Sequence, residues 1–239
     1  MAAQPFLPAL QRTSDEQWVT LQPVAREDGR VVARVESASR LAAVVRIDGG
    51  AAYESRLRDL LASPPPHGGR GVHIAWPIDL LHDLDGTIVG YTARRHTSRH
   101  TLPLAAFADP DRRVKISPQV TRRRLVRIAR NVATATAALH HAGHAGITGR
   151  QFRIDENDIV AVVRVDDLQR LNGTSQQTYD EQRLANVMRR LLGVQEWETH
   201  PGLAALIDGS KTADGTTATA QEWFFALREA LAGMAPDPA

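Results

Sequence analysis

The hydrophobic pattern of the chain changes near residue 95, and this change restricts the possible folds more than any other feature. Before it, short apolar runs alternate with turns such as Arg26-Glu27-Asp28-Gly29, where Asp-Gly favours a β-hairpin. Helical spacing of apolar residues occurs once in this part, from Tyr53 to Leu61, and stops at Ser63-Pro64-Pro65-Pro66. The predicted strands are 18–21, 30–35, 41–47, 72–81 and 87–93.

After residue 95 the pattern is mainly helical. The longest predicted helix runs from Thr121 to His141, with apolar residues on one face. Two short strands, around 152–154 and 159–165, follow it. A further helix is predicted from Thr178 to Leu192, and the capping box Thr219-Ala220-Gln221-Glu222 opens the last one. The chain therefore places its strands first and most of its helices second.

The basic residues are almost all arginines, and cysteine is absent. Of the 29 lysines and arginines in this 239-residue chain only Lys115 and Lys211 are lysines, which leaves 27 arginines. No lysine occurs in the first 114 residues, so lysine-amine chemistry is excluded there. Because arginine stays protonated at any working pH, we expect no Schiff-base or tunable-base chemistry from the basic residues of that half. The lack of cysteine excludes thiol nucleophiles, disulfides and thiolate metal sites. The net charge is +2, and the pI near 9.4 is only a weak argument for a nucleic-acid partner, because arginines titrate so late that a small excess of them raises the pI far.

No membrane segment is predicted. No apolar run approaches the roughly 18–20 residues that a membrane helix needs. The first residues, Met1-Ala2-Ala3-Gln4-Pro5, lack the charged and apolar regions of a signal peptide. We therefore expect a cytoplasmic protein without a membrane partner.

The region after the long helix resembles the catalytic segment of protein kinases. Leu139-His140-His141-Ala142-Gly143 is similar to the Leu-His-x-x-Gly that ends the helix before the kinase catalytic loop. From there the pattern H-R-D-x-x-x-x-N, followed by D-F-G thirteen residues past the Asn, aligns without a gap. His-Arg-Asp falls on Gly146-Ile147-Thr148, the Asn on Arg153, and Asp-Phe-Gly on Asp166-Asp167-Leu168.

The first half of the chain carries the same resemblance. Val44-Val45-Arg46-Ile47 is similar to the kinase Val-Ala-Ile-Lys strand with arginine at the lysine position, and Glu54 stands where a helix-C glutamate would pair with it. Ile74-Ala75-Trp76-Pro77-Ile78-Asp79 is similar to a segment of a bacterial kinase group often found with helix-hairpin-helix segments. His200-Pro201-Gly202-Leu203 and the residues from Thr217 to Trp223 resemble the last helices of that group.

The resemblance covers roughly residues 15 to 232. It implies an α+β, bilobal protein kinase-like fold, with a small five-stranded antiparallel N-lobe that contains one helix and a mainly helical, shortened C-lobe. The implied domains are an N-terminal extension at 1–14, an N-lobe at 15–95, a C-lobe at 96–232 and a disordered tail at 233–239.

The departures from the kinase pattern imply an inactive protein. Thr148 cannot accept the substrate proton near neutral pH, and a general base is worth about 10²–10⁴-fold in rate. Arg153 puts a cation in place of a metal-binding Asn, and Val24–Arg30 has one glycine and two carboxylates where kinases have a glycine-rich loop over the phosphates. The resemblance thus indicates a pseudokinase that binds no ATP or Mg²⁺ and acts through a protein partner. An active kinase, a phosphatase or another component of the same signalling system would be that partner.

Two positions keep kinase-like chemistry, and an enzyme remains an alternative. Arg46 is able to pair with Glu54, and Asp166 is the metal-binding carboxylate left in register, although we expect it to be a satisfied residue at a strand end. The alternative is a divergent nucleotide-binding kinase or phosphotransferase that uses Asp166, Glu54 and Arg46. His140 and His144 also have a metal-ligand spacing, but the resemblance explains His140 as a core histidine and no third ligand is evident, so no metal site is predicted.

A basic stripe lies on the long helix. It starts with Arg122-Arg123-Arg124 and continues at Arg127 and Arg130. A solvated helix face explains it best, and an acidic protein surface that contacts Arg122, Arg123, Arg127 and Arg130 is the second explanation. A third is an arginine-rich nucleic-acid-binding protein, which we consider less favoured.

Overall fold

In a computed structural model the chain forms two units. The first contains Met1–Pro64 and Ala75–Thr97, and the second contains Pro65–Ile74 and Ser98–Ala239. The structure describes residues 10–12, 14–46, 49–66, 69–96, 98, 100–116, 120–193, 197, 199–209 and 217–236.

The elements are numbered in chain order. The strands are β1 (Leu10–Arg12), β2 (Trp18–Val19), β3 (Leu21–Glu27), β4 (Arg30–Val35), β5 (Leu41–Arg46), β6 (Val72–Ile74), β7 (Pro77–His82), β8 (Ile88–Arg94), β9 (Thr101–Pro103), β10 (His144–Ala145), β11 (Phe152–Asp155), β12 (Val160–Val162) and β13 (Gln169–Arg170). The helices are α1 (Ala51–Ala62), α2 (Leu104–Ala108), α3 (Pro110–Ile116), α4 (Arg122–His141), α5 (Thr174–Leu192), α6 (Pro201–Gly209) and α7 (Ala220–Gly233). Two 3₁₀ turns lie at Gly149–Gln151 and Val165–Asp167.

The first unit is built on one antiparallel sheet of seven strands in the order β2-β1-β7-β8-β5-β4-β3. The antiparallel sheet is confirmed, but it has seven strands where five were predicted, because the expected N-terminal extension supplies β1 and two separate strands, β2 and β3, occur where one was predicted. Leu10 of this strand is fully buried in the same cluster as Val45 and Leu81. Just beyond the strand, the backbone N–H of Ser14 donates to Asp79 Oδ1 at 3.1 Å. Residues 10–12 and 14 therefore belong to the sheet unit.

The hairpin predicted at Asp28-Gly29 is confirmed. Glu27 and Arg30 face each other in the β3–β4 register, which leaves a two-residue loop. Asp28 (φ 47°) and Gly29 (φ 75°) are both left-handed, as the twist of such a hairpin requires. The strand before the turn is Leu21–Glu27 and not 18–21 as predicted, because Trp18–Val19 pairs with β1 instead.

Strands β5 and β8 approach each other closely at Gly90, and helix α1 packs on the same sheet. Gly90 of β8 pairs with Val45 of β5, and a Cβ at Gly90 would lie 2.3 Å from the Val44 carbonyl oxygen. Helix α1 buries Tyr53, Leu57 and Leu60 as its spacing predicted, and it packs on β7 and β8.

The second unit is mainly helical around a small sheet. That sheet has the order β6-β12-β11-β9, with β6 and β12 parallel. The strand predicted at 72–81 is therefore wrong as one element: Val72–Ile74 joins the second unit and Pro77–His82 joins the first. Helix α4 lies against α5 and α7 and buries an almost continuous apolar face.

The helix starts show how local sequence sets local structure. Thr121 caps α4 by accepting a hydrogen bond from the N–H of Arg124 at 3.0 Å. The predicted capping box of α7 is confirmed: Glu222 N–H donates to Thr219 Oγ1 at 3.2 Å, and Thr219 N–H donates to Glu222 Oε2 at 2.7 Å. Helix α5 starts four residues before the predicted Thr178, because its first turn is polar and gives no apolar periodicity.

The predicted domain limits differ from the two units. The boundary lies between Thr97 and Ser98, whereas it was predicted between residues 95 and 96. Pro65–Ile74 was predicted in the N-lobe but lies in the second unit. The tail predicted as disordered from residue 233 starts as an ordered segment: Arg123 Nη1 donates to the carbonyls of Met234 (2.5 Å) and Ala235 (3.3 Å). Residues 237–239 lie outside the described residues. No helix within the described ranges has both the length and the apolar character needed to cross a membrane.

Candidate functional site

The segment that resembles the kinase catalytic loop is held by a buried carboxylate. Asp180 of α5 is only 2% exposed. Its Oδ2 accepts hydrogen bonds from the backbone N–H groups of Gly146 (2.9 Å) and Ile147 (3.2 Å), and lies 3.4 Å from Nε2 of His140. Hydrogen bonds to an ionised acceptor are among the stronger ones, so Asp180 fixes the path of this loop.

Asp180 was not among the predicted site residues, although the sequence contains a signal for it. It lies on the same face of α5 as Leu184 and Met188, four and eight positions later, and all three are buried. A carboxylate on an apolar helix face has to find hydrogen-bond donors when it is buried. The signal shows that Asp180 needs partners and does not show which residues they are.

Thr148, at the position of the kinase catalytic aspartate, belongs to a capped turn. Its N–H donates to Oε1 of Gln151 at 2.6 Å, and the N–H of Gln151 donates back to the Thr148 carbonyl at 3.1 Å. The amide of Gln151 also donates to the carbonyl of Arg164 at 3.2 Å, and this side chain is buried. The loop is therefore tied to the segment that leads into the second 3₁₀ turn.

The other two aligned positions also lie in regular structure. Arg153 is half-buried on β11, in register with Ala161 of β12 and Pro103 of β9. Asp166 is fully buried in the 3₁₀ turn Val165–Asp167, so the strand-end location predicted for it was wrong. Among the described residues no three His, Asp or Glu side chains form a group able to hold a metal ion.

A cavity of about 790 Å³ adjoins this loop within the second unit. Thr148 and the 3₁₀ turn Gly149–Gln151 line one side of it, and α5 lines another. The start of α2 provides apolar lining, including Leu104. We call it the loop cavity.

Solved structures with kinase names match almost the whole chain. A rhoptry antigen kinase domain from Toxoplasma gondii matches with a TM-score of 0.60 and 14% identity, over 96% of this chain and 86% of that one. The PAN3 pseudokinase of Neurospora crassa matches with a TM-score of 0.62 and 12% identity, over 97% of this chain and 65% of that one. The chain has a protein kinase-like fold.

Proteins named kinases and proteins named pseudokinases share this fold. ROP2 from Toxoplasma gondii, described as a virulence factor with a protein-kinase fold and no enzymatic activity, matches with a TM-score of 0.60 and 13% identity, over 94% of this chain and 85% of that one. No protein-family model and no curated protein matches the sequence. At these identities the likeness establishes the fold alone, so activity has to be argued from the residues.

In the strand-rich lobe of the kinase-like fold, the predicted pairing of Arg46 with Glu54 was wrong. Glu54 Oε1 accepts from Nη2 (2.8 Å) and Nε (3.2 Å) of Arg58, one turn along α1. The Arg46 guanidinium lies over the ring of Tyr53, 5.3 Å from its centroid. The pairing with Arg58 needs no contact beyond the helix itself, which explains why it forms instead.

In the helical lobe, two arginines of the predicted stripe bind one buried carboxylate. Asp158, in the turn between β11 and β12, has a side chain only 4% exposed. Its oxygens lie 2.5 Å from Arg124 Nε and 2.8 Å from Arg127 Nη1. The backbone carbonyl of Asp158 accepts a hydrogen bond from Nδ2 of Asn131 at 2.9 Å. These contacts dock the β11–β12 turn onto α4.

The remaining arginines of the stripe also make contacts within the lobe. Arg122 stacks over Trp197 at 3.9 Å from the ring centroid, and Arg123 binds carbonyls at the end of α7. Arg130 Nη2 donates to Oδ1 of Asn131 at 2.8 Å. Burial lowers the pKa of Arg130 from its ordinary value, and the neighbouring charge of Arg127 lowers that pKa further. The stripe is therefore not a freely solvated face, and its arginines already have partners in the chain.

Proposed function

We propose that this chain is a pseudokinase, a catalytically inactive kinase-like protein that acts as a protein-binding regulatory module in bacterial signalling, in the cytoplasm. The observation that carries the proposal is the state of the loop around Thr148. A hydroxyl replaces the proton-accepting carboxylate, and the side chain of Gln151 holds the backbone of the loop in a capped turn. Without that base the rate would fall by about 10²–10⁴-fold.

The metal-binding positions support the same proposal. Arg153 has a fixed positive charge where kinases have a metal-binding Asn. Asp166 is fully buried, so its carboxylate is not available at the surface to a hydrated Mg²⁺. Glu54 already binds Arg58. We therefore propose that the protein works without ATP or Mg²⁺ as cofactors.

The partner class rests on the resemblance to bacterial kinases. A kinase-like protein without catalysis acts by contact, so we propose a protein partner: an active kinase, a phosphatase or another component of the same signalling system. A membrane partner and a nucleic-acid partner are not part of the proposal.

A phosphotransfer assay tests the inactivity. The purified chain is incubated with radiolabelled Mg·ATP and general protein substrates, beside an active protein kinase as positive control. We expect no transfer above background. Turnover that disappears in the Asp166→Asn variant would refute the proposal, whereas transfer that persists in that variant would come from a contaminating kinase.

Thermal shift measurements test the absence of a cofactor. We expect the melting temperature to stay unchanged at millimolar ATP, with and without Mg²⁺, because a ligand that binds only the folded state raises it. Stabilisation by ATP that is lost in Arg46→Ala or Asp166→Asn would favour a nucleotide-binding phosphotransferase instead.

A further inference from the structure

One face of α5 brings two arginines to the loop cavity. The α5 residues that line it are spaced by three or four positions, as on one side of a helix: Arg183, Asn186, Val187 and Arg190. The neighbouring face of the helix is buried in the lobe through Leu184, Met188 and Leu191. Packing of the apolar face thus fixes the side on which the arginines lie.

Two more arginines line the cavity from the loops beside α5. Arg150 belongs to the 3₁₀ turn that follows Thr148, and Arg164 precedes the turn at Val165–Asp167. The carboxylate of Asp167 also lines the cavity, and its Oδ2 lies 3.5 Å from Nε of Arg164. Among the described lining residues, four arginines and one carboxylate give a net charge of +3.

Ion pairs among the described residues leave most of this charge without a neutralising carboxylate. In the described part of the chain, no ion pair includes Arg150, Arg183 or Arg190. Tyr179 holds Arg183 in place in two ways. The centroid of its ring lies 4.1 Å from the guanidinium carbon of Arg183, and its hydroxyl oxygen accepts a hydrogen bond from Arg183 Nη2 at 2.9 Å. Guanidinium groups collected around one concave surface raise the local potential and attract anions.

The size and the lining of the cavity restrict the anion. Its volume of about 790 Å³ exceeds that of a free phosphate ion and suits several residues of a peptide. Apolar walls from Leu104 and Val187 provide contact area for peptide side chains. Among the described residues no aromatic side chain lines the cavity, whereas single-stranded nucleic acid is bound by stacking its bases on aromatic rings.

We propose that the loop cavity binds a phosphorylated segment of a protein partner. A phosphoserine or phosphothreonine has a charge of about −1.5 to −2 and three acceptor oxygens, so it can engage several guanidinium forks at once. Arg150, Arg183 and Arg190 are the side chains that would bind it. The inference rests on the proposed function because it assumes a protein partner, but it does not require that the chain be inactive.

Fluorescence polarisation with peptide pools tests the proposal. The probe is a fluorescein-labelled heptapeptide pool with a fixed central phosphoserine and degenerate flanking residues, and the same pool with serine is the reference. We expect the phosphoserine pool to bind at least about tenfold more tightly than the serine pool, because charge-assisted hydrogen bonds account for most of the affinity.

Variants of the full chain assign the binding to the cavity. Arg183→Ala and Arg150→Ala should each weaken phosphopeptide binding about tenfold. Arg228→Ala is the matched control, because it changes the net charge by the same amount as the cavity variants. Arg228 is exposed on α7 and does not line the cavity. That control should stay within about twofold of the unchanged chain. Arg183→Lys keeps the charge without the fork and should show intermediate binding.

Three results would each overturn the proposal. The first is equal binding of the two pools, and the second is the same affinity in the cavity variants as in the Arg228→Ala control. The third is displacement of the phosphopeptide by a single-stranded oligonucleotide at a lower concentration than by unlabelled phosphopeptide. Arg150 is exposed and makes no ion pair within the described residues, so its variant remains informative if Arg183→Ala fails to fold. Phosphotransfer activity would refute the inactivity and leave this binding intact, which separates the two failures.

Discussion

Replacing Asp158 by asparagine removes the charge that holds two arginines of α4. The carboxylate is 4% exposed and binds Arg124 at 2.5 Å and Arg127 at 2.8 Å. Asp158 also has a φ of 63°, which asparagine tolerates as well as aspartate does. The substitution therefore changes charge and hydrogen bonding without adding backbone strain.

The size of the effect follows from these contacts. Each hydrogen bond between charged groups contributes about 1.5–3 kcal/mol, and the asparagine oxygen retains a neutral bond worth about 1 kcal/mol. The arginine side chains are 25% and 35% exposed, so water screens part of the interaction. We expect Asp158→Asn to reduce the free energy of unfolding by about 2–3 kcal/mol, or the melting temperature by roughly 5–10 °C.

Urea unfolding followed by tryptophan fluorescence and circular dichroism measures this loss. Asp109→Asn is the matched control, because it removes the same charge from an exposed pair: Asp109 lies 3.5 Å from Arg112, and their side chains are 45% and 68% exposed. Asp109 Oδ1 also accepts hydrogen bonds from the N–H groups of Asp111 (3.0 Å) and Arg112 (3.3 Å) at the start of α3. The side-chain oxygen in Asp109→Asn can keep these bonds, so the control should lose less than about 1 kcal/mol.

A double-mutant cycle of Asp158→Asn with Arg127→Gln isolates the pair. We expect a coupling energy of at least about 1 kcal/mol. If Asp158→Asn costs no more than Asp109→Asn, or if the coupling is zero, then the arginine stripe is not structural. The solvated face or acidic-partner surface would then return as its explanation.

Three further predictions concern other parts of the fold. Gly90→Ala should destabilise the chain by about 1–3 kcal/mol in urea melts, because its Cβ would meet backbone, whereas Gly202→Ala, with nothing within 4 Å, should be neutral or stabilising. Burial raises the pKa of Glu181 above its ordinary value of 4.5, so the folded chain keeps this proton at a pH where the unfolded chain has lost it. The contribution of Glu181 to stability should therefore fall as the pH rises above 4.5. The stability gained by Glu181→Gln, measured against the unchanged chain in urea melts, should grow with pH in the same window; a gain independent of pH would contradict this. Arg123→Ala should cost about 1–2 kcal/mol and speed amide exchange at Met234 more than in α6, since it removes three carbonyl contacts; unchanged exchange would show that the contacts contribute nothing.

The sequence predicted local structure where local interactions decide it. Asp28-Gly29 adopts the two left-handed conformations of a tight hairpin, and Thr219 with Glu222 forms a capping box, because each pattern is satisfied within a few residues. The gap-free spacing from Thr148 to Asp166 predicted the kinase-like fold, and the residue types predicted the loss of the base.

Contacts between residues that lie far apart in the sequence could not be predicted from such local patterns. Asp158 is 34 residues from Arg124. From their sequence context alone, the α4 arginines are equally suited to water, to a partner or to a buried carboxylate. β6 pairs with β12, and nothing in its own three residues favours that sheet over the one formed by β7. Pairing of this kind depends on which surfaces meet after the chain has folded.

The sequence by itself determined the coarse order of the elements, the turns and caps, the kinase-like spacing and the presence of a threonine at position 148 of that spacing. Only the tertiary structure decided that the α4 arginines are used inside the lobe and that Arg150, Arg183 and Arg190 line one cavity. The physical reason is that an arginine has the same charge and periodicity in every environment. Whether that charge is neutralised depends on carboxylates brought near it by folding, and Asp158 meets the α4 arginines whereas no described ion pair reaches those three in the cavity.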